Sequence, residues 1–329
     1  MPAKARISRK WLIAAWIGAG VIVAAYYALW RYAAGEMETA VNDWVAEQRA
    51  AGLYVDHGAI KRDGFPFFLR VQIAAPHIEQ PGVFSWRAEA LSLDALPHDL
   101  NRLIFSPSGA QSFVAEGYGA WTYAAESIRA SIAADKQREW IFSMNIERAT
   151  ADETGGASSS LESLVFDLTP AIGDPTTLTL NLVGRGYEVR AGQKTVAVDG
   201  LEMSLSLSDV DALGQSGAAA DWRNAGGALT VHGLNALIDE TSLSAHGSMS
   251  LDELSLPAGT MTTTLEKPAG LVAALANGGA LTQEEADAAT AGLALVAMAQ
   301  GGRIEAPIEL HAGAVTIAGV KVADLTPIE

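Results

Sequence analysis

Leu201-Glu202-Met203-Ser204-Leu205-Ser206-Leu207-Ser208 alternates apolar and polar side chains without interruption. Successive side chains of an extended chain point to opposite faces, so the stretch reads as a strand with one apolar face and one wetted face. The same alternation marks Phe67, Leu69, Val71 and Ile73, then Trp140, Phe142, Met144 and Ile146. It recurs at Leu164, Phe166 and Leu168 and at Leu178, Leu180 and Leu182. One-sided strands suit an antiparallel sheet, because buried parallel strands would be apolar throughout. Turns are expected at Asp152 to Ser160, Gly173-Asp174-Pro175, Gly184 to Gly186, Asp199-Gly200 and Gly214 to Gly217. One place breaks phase. Trp86, Ala88 and Ala90 hold even positions and Leu91 and Leu93 odd ones, which predicts a bulge near Ala90-Leu91 or two short strands.

Outward from the strands, composition narrows the class. The chain has 329 residues, of which 49% are hydrophobic and 18% charged, a balance that excludes general disorder. It has no cysteine, so disulfides, thiolate metal sites and cysteine nucleophiles are excluded together. The formal charge of −16 argues against a nucleic-acid partner. The charge is unevenly spread. Lys4, Arg6, Arg9 and Lys10 open the chain, and Glu36 is the first acid. The remaining 18 basic residues face 38 acidic ones, a net of −20 after residue 10.

Between these regimes lies an uncharged stretch, 11–30, bounded by Trp11 at one end and Tyr26, Tyr27 and Trp30 at the other. A helix of this length spans roughly 30 Å, the hydrocarbon thickness of a bilayer, and the rings form an aromatic belt. A signal peptide has a shorter apolar region and a small-residue cleavage site, whereas this one ends in bulky side chains. The expectation is an uncleaved single-pass anchor with residues 1–10 in the cytoplasm and the remainder translocated. In a bacterium that places the bulk of the chain in the periplasm, on the inner membrane.

Residues 31–52 read as a stalk helix with Met37, Val41, Trp44 and Val45 on one stripe and Gly52 past its end. Its acidic opposite face favours packing on the following domain over lying on a membrane. Near the C-terminus, Leu271, Val272 and Leu275 mark one short helix. Thr282-Gln283-Glu284-Glu285 is a capping box opening a second, which is expected to run to about Ala299 and stop at Gly301-Gly302. The expected class is therefore mainly β. After the anchor and stalk comes one large curved antiparallel sheet over 53–329, or two stacked subdomains divided near 209–224, with two short C-terminal helices.

Arg62-Asp63-Gly64-Phe65-Pro66-Phe67, shortly after an anchor and helix, resembles the R-x-G-F-P-F signature of the domain of unknown function 2125 family. Those are alphaproteobacterial membrane-anchored envelope proteins. The block from Trp86 to Leu91 fits the same resemblance. Arg62, Gly64, Phe65, Pro66, Phe67 and Trp86 are the motif residues it singles out. The stretch Gly247-Ser248-Met249-Ser250-Leu251-Asp252, followed by Pro257-Ala258-Gly259, is similar to blocks of AsmA-like envelope proteins. That similarity implies a curved sheet whose apolar face carries lipid, by analogy alone.

No motif for catalysis, cofactor or metal is found. No two of the six histidines lie within five residues of one another. Gly184-Arg185-Gly186 starts like a dinucleotide loop but has Val189 where a third glycine belongs, and reads as a hairpin turn. The sequence thus points to a non-enzymatic, membrane-anchored scaffold or assembly factor whose partners are the bilayer and envelope proteins. The alternative is a lipid-handling module. In that case Phe67, Leu69, Trp140 and Phe142 are the residues expected to touch acyl chains.

Overall fold

The structure is a computed structural model. It describes residues 9–97, 99–117, 119–214, 218–279, 281–317 and 320–328. The chain is mainly β, its strands belong to one large antiparallel sheet, and a long apolar helix precedes them.

That helix, α1 (Arg9–Ala50), is 42 residues long and unbroken. The stretches 11–30 and 31–52, expected as separate anchor and stalk, are one element. Nothing between them can stop a helix: Arg31, Tyr32, Ala33 and Ala34 are ordinary helix residues, and a lone Gly35 costs only about 1 kcal/mol relative to alanine. α1 ends as its sequence dictates. Gly52 adopts φ +94°, its N–H donates to the Arg49 carbonyl, and the Leu53 N–H donates to the Gln48 carbonyl. This is a Schellman closure, which only a residue free to take positive φ makes cheaply.

The chain divides into two compact units, Met1–Ser108 and Gly109–Glu329. The first holds α1, β1 (Tyr54–Asp56), β2 (Ile60–Asp63), β3 (Leu69–Ala74), β4 (His77–Gln80) and β5 (Phe84–Leu96). β1 pairs with β4 and β2 with β3, while β3 and β4 pair in succession along β5. The break expected near Ala90-Leu91 falls instead on the partner strand. β5 runs on for 13 residues, while Ala75 (φ 45°) and Pro76 separate β3 from β4. Proline has no N–H to give the ladder, so the interruption sits where it occurs.

This unit has a layered core. Trp30 and Ala34 of α1 pack with Leu69 and Ala95. Next to them Val71, Ile73 and Leu93 are buried, with Met37 and Val41 of α1 packed against them. Val71 and Leu93 are direct cross-strand partners, so both project onto the helix-covered face. The stripe read in residues 31–52 thus packs on the domain through Met37, Val41 and the buried Val45, while Trp44 is exposed.

β6 (Asp99–Ala115) carries the chain from one unit into the next. The two units meet at Ser108 and Gly109, and the stretch read as a possible internal boundary, 209–224, lies within the second. Residues 210–214 are a single 3-10 turn, and α2 (Ala218–Ala225) follows. Of the turn expected at Gly214 to Gly217, residues 215–217 lie outside the described residues.

The second unit is a meander. Its long strands are β7 (Gly119–Asp135), β8 (Glu139–Glu153), β9 (Ala157–Ala171), β10 (Asp174–Ala191) and β11 (Lys194–Leu207). After α2 come β12 (Leu229–Ile238), β13 (Thr241–Leu251) and β14 (Pro257–Glu266). Two helices, α3 (Ala269–Asn277) and α4 (Gln283–Ala299), precede β15 (Arg303–His311), β16 (Ala314–Ile317) and β17 (Val320–Asp324). From β7 to β17 every strand pairs antiparallel with the next.

Two expected turns prove to be strand interior. Arg185 stands opposite Gly200 in mid-ladder, with β10 and β11 paired on both sides of that point. Gly186 takes φ 60° without ending β10, the other use of glycine in a strand. At α4 the capping box forms as read. Thr282 Oγ1 accepts the Glu285 N–H at 3.3 Å, and Glu285 Oε2 accepts the Thr282 N–H at 2.8 Å.

Candidate functional site

Residues directly opposite in an antiparallel ladder share a face. Followed from strand to strand, the registers of the second unit join its apolar residues into continuous rows. One row runs Ile132, Phe142, Leu168, Leu180, Leu205 and Val231, and reaches Met261 and Ile308 through Gly247. The next runs Ala130, Met144, Phe166, Leu182, Met203 and Leu234. A bulge between Val231 and Leu234 keeps β12 in phase with both rows. The reverse face is polar: Ser204 donates to Asn181 Oδ1 at 2.8 Å, and Ser206 meets His232 Nε2 at 2.6 Å.

Cover on the sheet is local. α2 packs against β13, α3 against β11, β12 and β13, and α4 against β15. On β11 the end of α3 meets Val196, several residues from the two rows. Val231, Ala245 and Ile304 are accordingly buried. Over β7 to β11 the situation differs. No residue of β7, β8 or β11 is buried, Phe142, Leu168, Leu180 and Leu205 are half-buried, and Ile132 is 42% exposed. Two flanking rows continue the face: Ile128, Ile146, Leu164, Gly184 and Leu201 on one side, and Ala134 with Trp140, then Pro170, Leu178 and Leu207, on the other. Five strands about 4.8 Å apart and four rows about 6.7 Å apart give an apolar footprint of roughly 600 Å². That is at the upper end of the largest apolar patch on a typical soluble monomer, about 300 to 600 Å².

The glycines of the Gly247–Asp252 and Pro257–Gly259 blocks have a backbone reason. Gly247 stands opposite Met261 and Gly259 opposite Met249. A Cβ on Gly259 would lie 2.2 Å from the Ser248 carbonyl oxygen, and one on Gly247 2.3 Å from that of Thr260. Only glycine allows β13 and β14 this approach. Asp252 Oδ1 accepts the N–H groups of Leu254 and Leu256, both at 2.9 Å, and fixes the connecting turn. A shallow depression of about 350 Å³ lies beside Gly259, lined also by Met249, Ser250 and Thr260 among others.

In the first unit the R-x-G-F-P-F stretch forms a turn clasped to α1. Gly64 has φ +95°, and a Cβ there would lie 2.8 Å from the Phe68 carbonyl oxygen. Tyr26 donates its hydroxyl hydrogen to the Pro66 carbonyl at 2.5 Å, and Trp30 Nε1 donates to the Phe68 carbonyl at 2.7 Å. The Phe65 ring lies 5.2 to 5.9 Å from the rings of Tyr26, Tyr27 and Trp30. Arg62 Nε donates to Glu38 Oε2 at 2.6 Å, a bond from the motif to α1 beyond the aromatic belt. Below the turn Arg70 makes a two-pronged pair with Asp94 at 2.6 and 2.8 Å. The hydrogen bond to Asp94 raises the Arg70 pKa above its ordinary value, and the guanidinium also lies 5.9 Å from the centre of the Phe68 ring.

The four residues expected to touch lipid part company. Leu69 is 4% exposed and sits in the core under α1. Phe67 does not continue its strand pattern: it lies in the turn and is 74% exposed. Both belong to the first unit. Trp140 and Phe142 belong to the second and lie on its apolar rows, with Phe142 and Phe166 in edge contact at 6.0 Å. Trp86, the last motif residue, pairs with Ile78 between β5 and β4. Leu180, Leu182 and Met203 complete the apolar face, and their alternation was its signal. Among the described residues no three histidine, aspartate or glutamate side chains converge to hold a metal.

The sequence profile of a family described as "Uncharacterized protein conserved in bacteria (DUF2125)" matches residues 30–326. No curated protein and no solved structure matches the chain.

Proposed function

We propose that this chain, which belongs to the bacterial family DUF2125, is a single-pass membrane protein that handles lipid on the uncovered face of its second unit. The observation that carries the reading is the set of apolar rows over β7 to β11, on strands of which three contain no buried residue. A sheet face needs a covering layer, and none is present over these rows among the described residues. Half-buried Phe142, Phe166 and Leu180 present the chemistry of an acyl chain. One such chain spans half of a bilayer core, roughly 15 Å, and fits within the footprint.

α1 supports the reading. It is long and apolar enough to cross a membrane. The basic residues before Trp11 orient it with the N-terminus in the cytoplasm, so the β-structure stands in the periplasm, tethered to the inner membrane. Lipid is then the most concentrated apolar partner within reach. We read the domain as non-catalytic, because the rows traced over β7 to β11 consist of apolar side chains and glycine. A protein-binding scaffold, the first function expected from the sequence, would seat a protein partner on the same rows; the tether beside a bilayer is what favours lipid there.

The test is native mass spectrometry of the full chain released from detergent micelles. A phospholipid adduct is expected on the unaltered chain and on Ser204→Glu, which alters the polar face, and is expected to be lost from Leu205→Glu. An adduct equally retained by both variants belongs to α1 and overturns the reading.

A further inference from the structure

The clasp in the first unit carries an inference about how this protein meets its membrane. α1 leaves its uncharged stretch through Tyr26, Tyr27 and Trp30, the rings that favour the interfacial layer of a bilayer. The Gly64–Phe68 turn is held at that level by two bonds, from Tyr26 to Pro66 and from Trp30 to Phe68. Tyr26 and Trp30 are one helical turn apart, about 6 Å along the axis. The turn is therefore fixed within that narrow slice of depth. Phe65 fills the space between the turn and the helix, against three rings. Phe67 is 74% exposed and Phe68 42% exposed. Leu29 and Tyr32 of α1 are exposed at the same level, at 64% and 67%. The result is a collar of large apolar side chains on two elements, rigidly joined, at the depth where a bilayer offers them cover.

We propose that the Gly64–Phe68 turn is a second membrane contact of the protein, with the Phe67 ring seated in the interfacial layer of the leaflet from which α1 emerges. This rests on the reading of α1 as a membrane span. The occupant is the phospholipid interface itself, because the turn is pinned beside the point where the helix enters it. With α1 alone in the bilayer, helix and first unit could rotate and tilt together against the membrane plane. Phe67 supplies a second point of contact, and the two bonds to α1 transmit it.

The chain has no cysteine, so single-cysteine spin labels can be placed without background. The full chain is reconstituted in vesicles of phosphatidylethanolamine and phosphatidylglycerol. Nitroxides at Trp16→Cys, Phe67→Cys and Leu254→Cys are then compared for collision with oxygen, which concentrates in lipid, and with a nickel chelate confined to water. Trp16 lies within the apolar stretch of α1, and Leu254 is a 71% exposed leucine in the β13–β14 turn. The expected result is oxygen-dominated relaxation at positions 16 and 67 and nickel-dominated relaxation at 254. Nickel-dominated relaxation at 67 with oxygen dominance at 16 overturns the second contact and leaves the anchor standing. Nickel dominance at 16 overturns the anchor and the proposal with it. Phe67 is too exposed for its replacement to unfold the unit, and an unchanged circular dichroism spectrum checks this.

Discussion

The same alternation of apolar and polar residues has opposite outcomes in the two units. In the first, the apolar side of β3 and β5 is closed by α1, and Val71, Ile73 and Leu93 fall to between 0% and 6% exposure. In the second, the apolar side of β7 to β11 is as regular, yet its leucines and phenylalanines are only half-buried. Alternation reports that a strand has two unlike faces. It does not report what covers the apolar one. The first unit closes its apolar surface with a helix of the same chain, and the second keeps it available.

The comparison breaks most readily with matched charges. Val71→Asp buries an unpaired carboxylate under α1 and is expected to destabilise the first unit by about 4 kcal/mol. Met203→Asp, on an equally regular strand, is expected to lower stability by only about 1 kcal/mol, because the half-exposed position leaves the carboxylate in reach of water. Denaturant unfolding of the two variants, read by hydrogen exchange in each unit, measures both. Equal effects would mean that the second unit has a closed core.

Next in size is Gly259→Ala. If the second unit depends on close approach of β13 and β14, a Cβ placed 2.2 Å from a carbonyl oxygen must push the strands apart. The expected loss is about 3 kcal/mol, with amide exchange raised along β13 and β14. Ordinary stability in this variant would show that the approach is slack.

A smaller effect sharpens the first unit. Arg70→Met leaves Asp94, 9% exposed, without its partner. The pair is partly open to solvent on the arginine side, so the loss is expected to be about 2 kcal/mol, below that of a fully buried pair. Thermal melting of the full chain measures it, and Arg70→Lys should recover only part, since lysine cannot make the two-pronged pair.

The smallest effect is local to α4. The Thr282 N–H and hydroxyl hold the Glu285 carboxyl below its ordinary pKa of 4.5. A depressed carboxyl contributes above its unfolded pKa and ceases to contribute as pH falls through the folded value. Amide protection at Thr282 should therefore drop only as pH falls below the ordinary value of 4.5. Glu285→Gln should remove the pH dependence and leave the rest of the helix unchanged.

Much of the fold was legible because period 2 and the capping signals are local. The capping box at Thr282, the closure at Gly52 and the apolar faces of β8 to β11 follow from neighbours within a few residues. What was not legible is nonlocal. Gly184 to Gly186 reads as a turn until its partner Gly200 is known, because glycine serves turns and strand kinks alike. Phe67 continues the parity of Leu69, Val71 and Ile73, yet Gly64 and Pro66 bend it into a turn whose place is decided by Tyr26 and Trp30, about 40 residues earlier. Of the residues expected to touch lipid, Trp140 and Phe142 stand on the apolar face of the second unit's sheet and Leu69 lies in the core of the first. The continuity of the rows across β7 to β15 needs the pairing register, which no single strand contains.

Whether lipid occupies the apolar face of the second unit is decided most directly by neighbouring residues of one strand. A photo-activatable benzophenone side chain is introduced at Leu205 or, separately, at Ser206 of the full chain in bacterial membranes carrying radiolabelled phospholipid. Backbone, depth and strand are then shared, and only the face differs. A lipid-bearing face predicts lipid crosslinked from position 205 and little from 206. Equal labelling from the two positions, or none from 205, would contradict it.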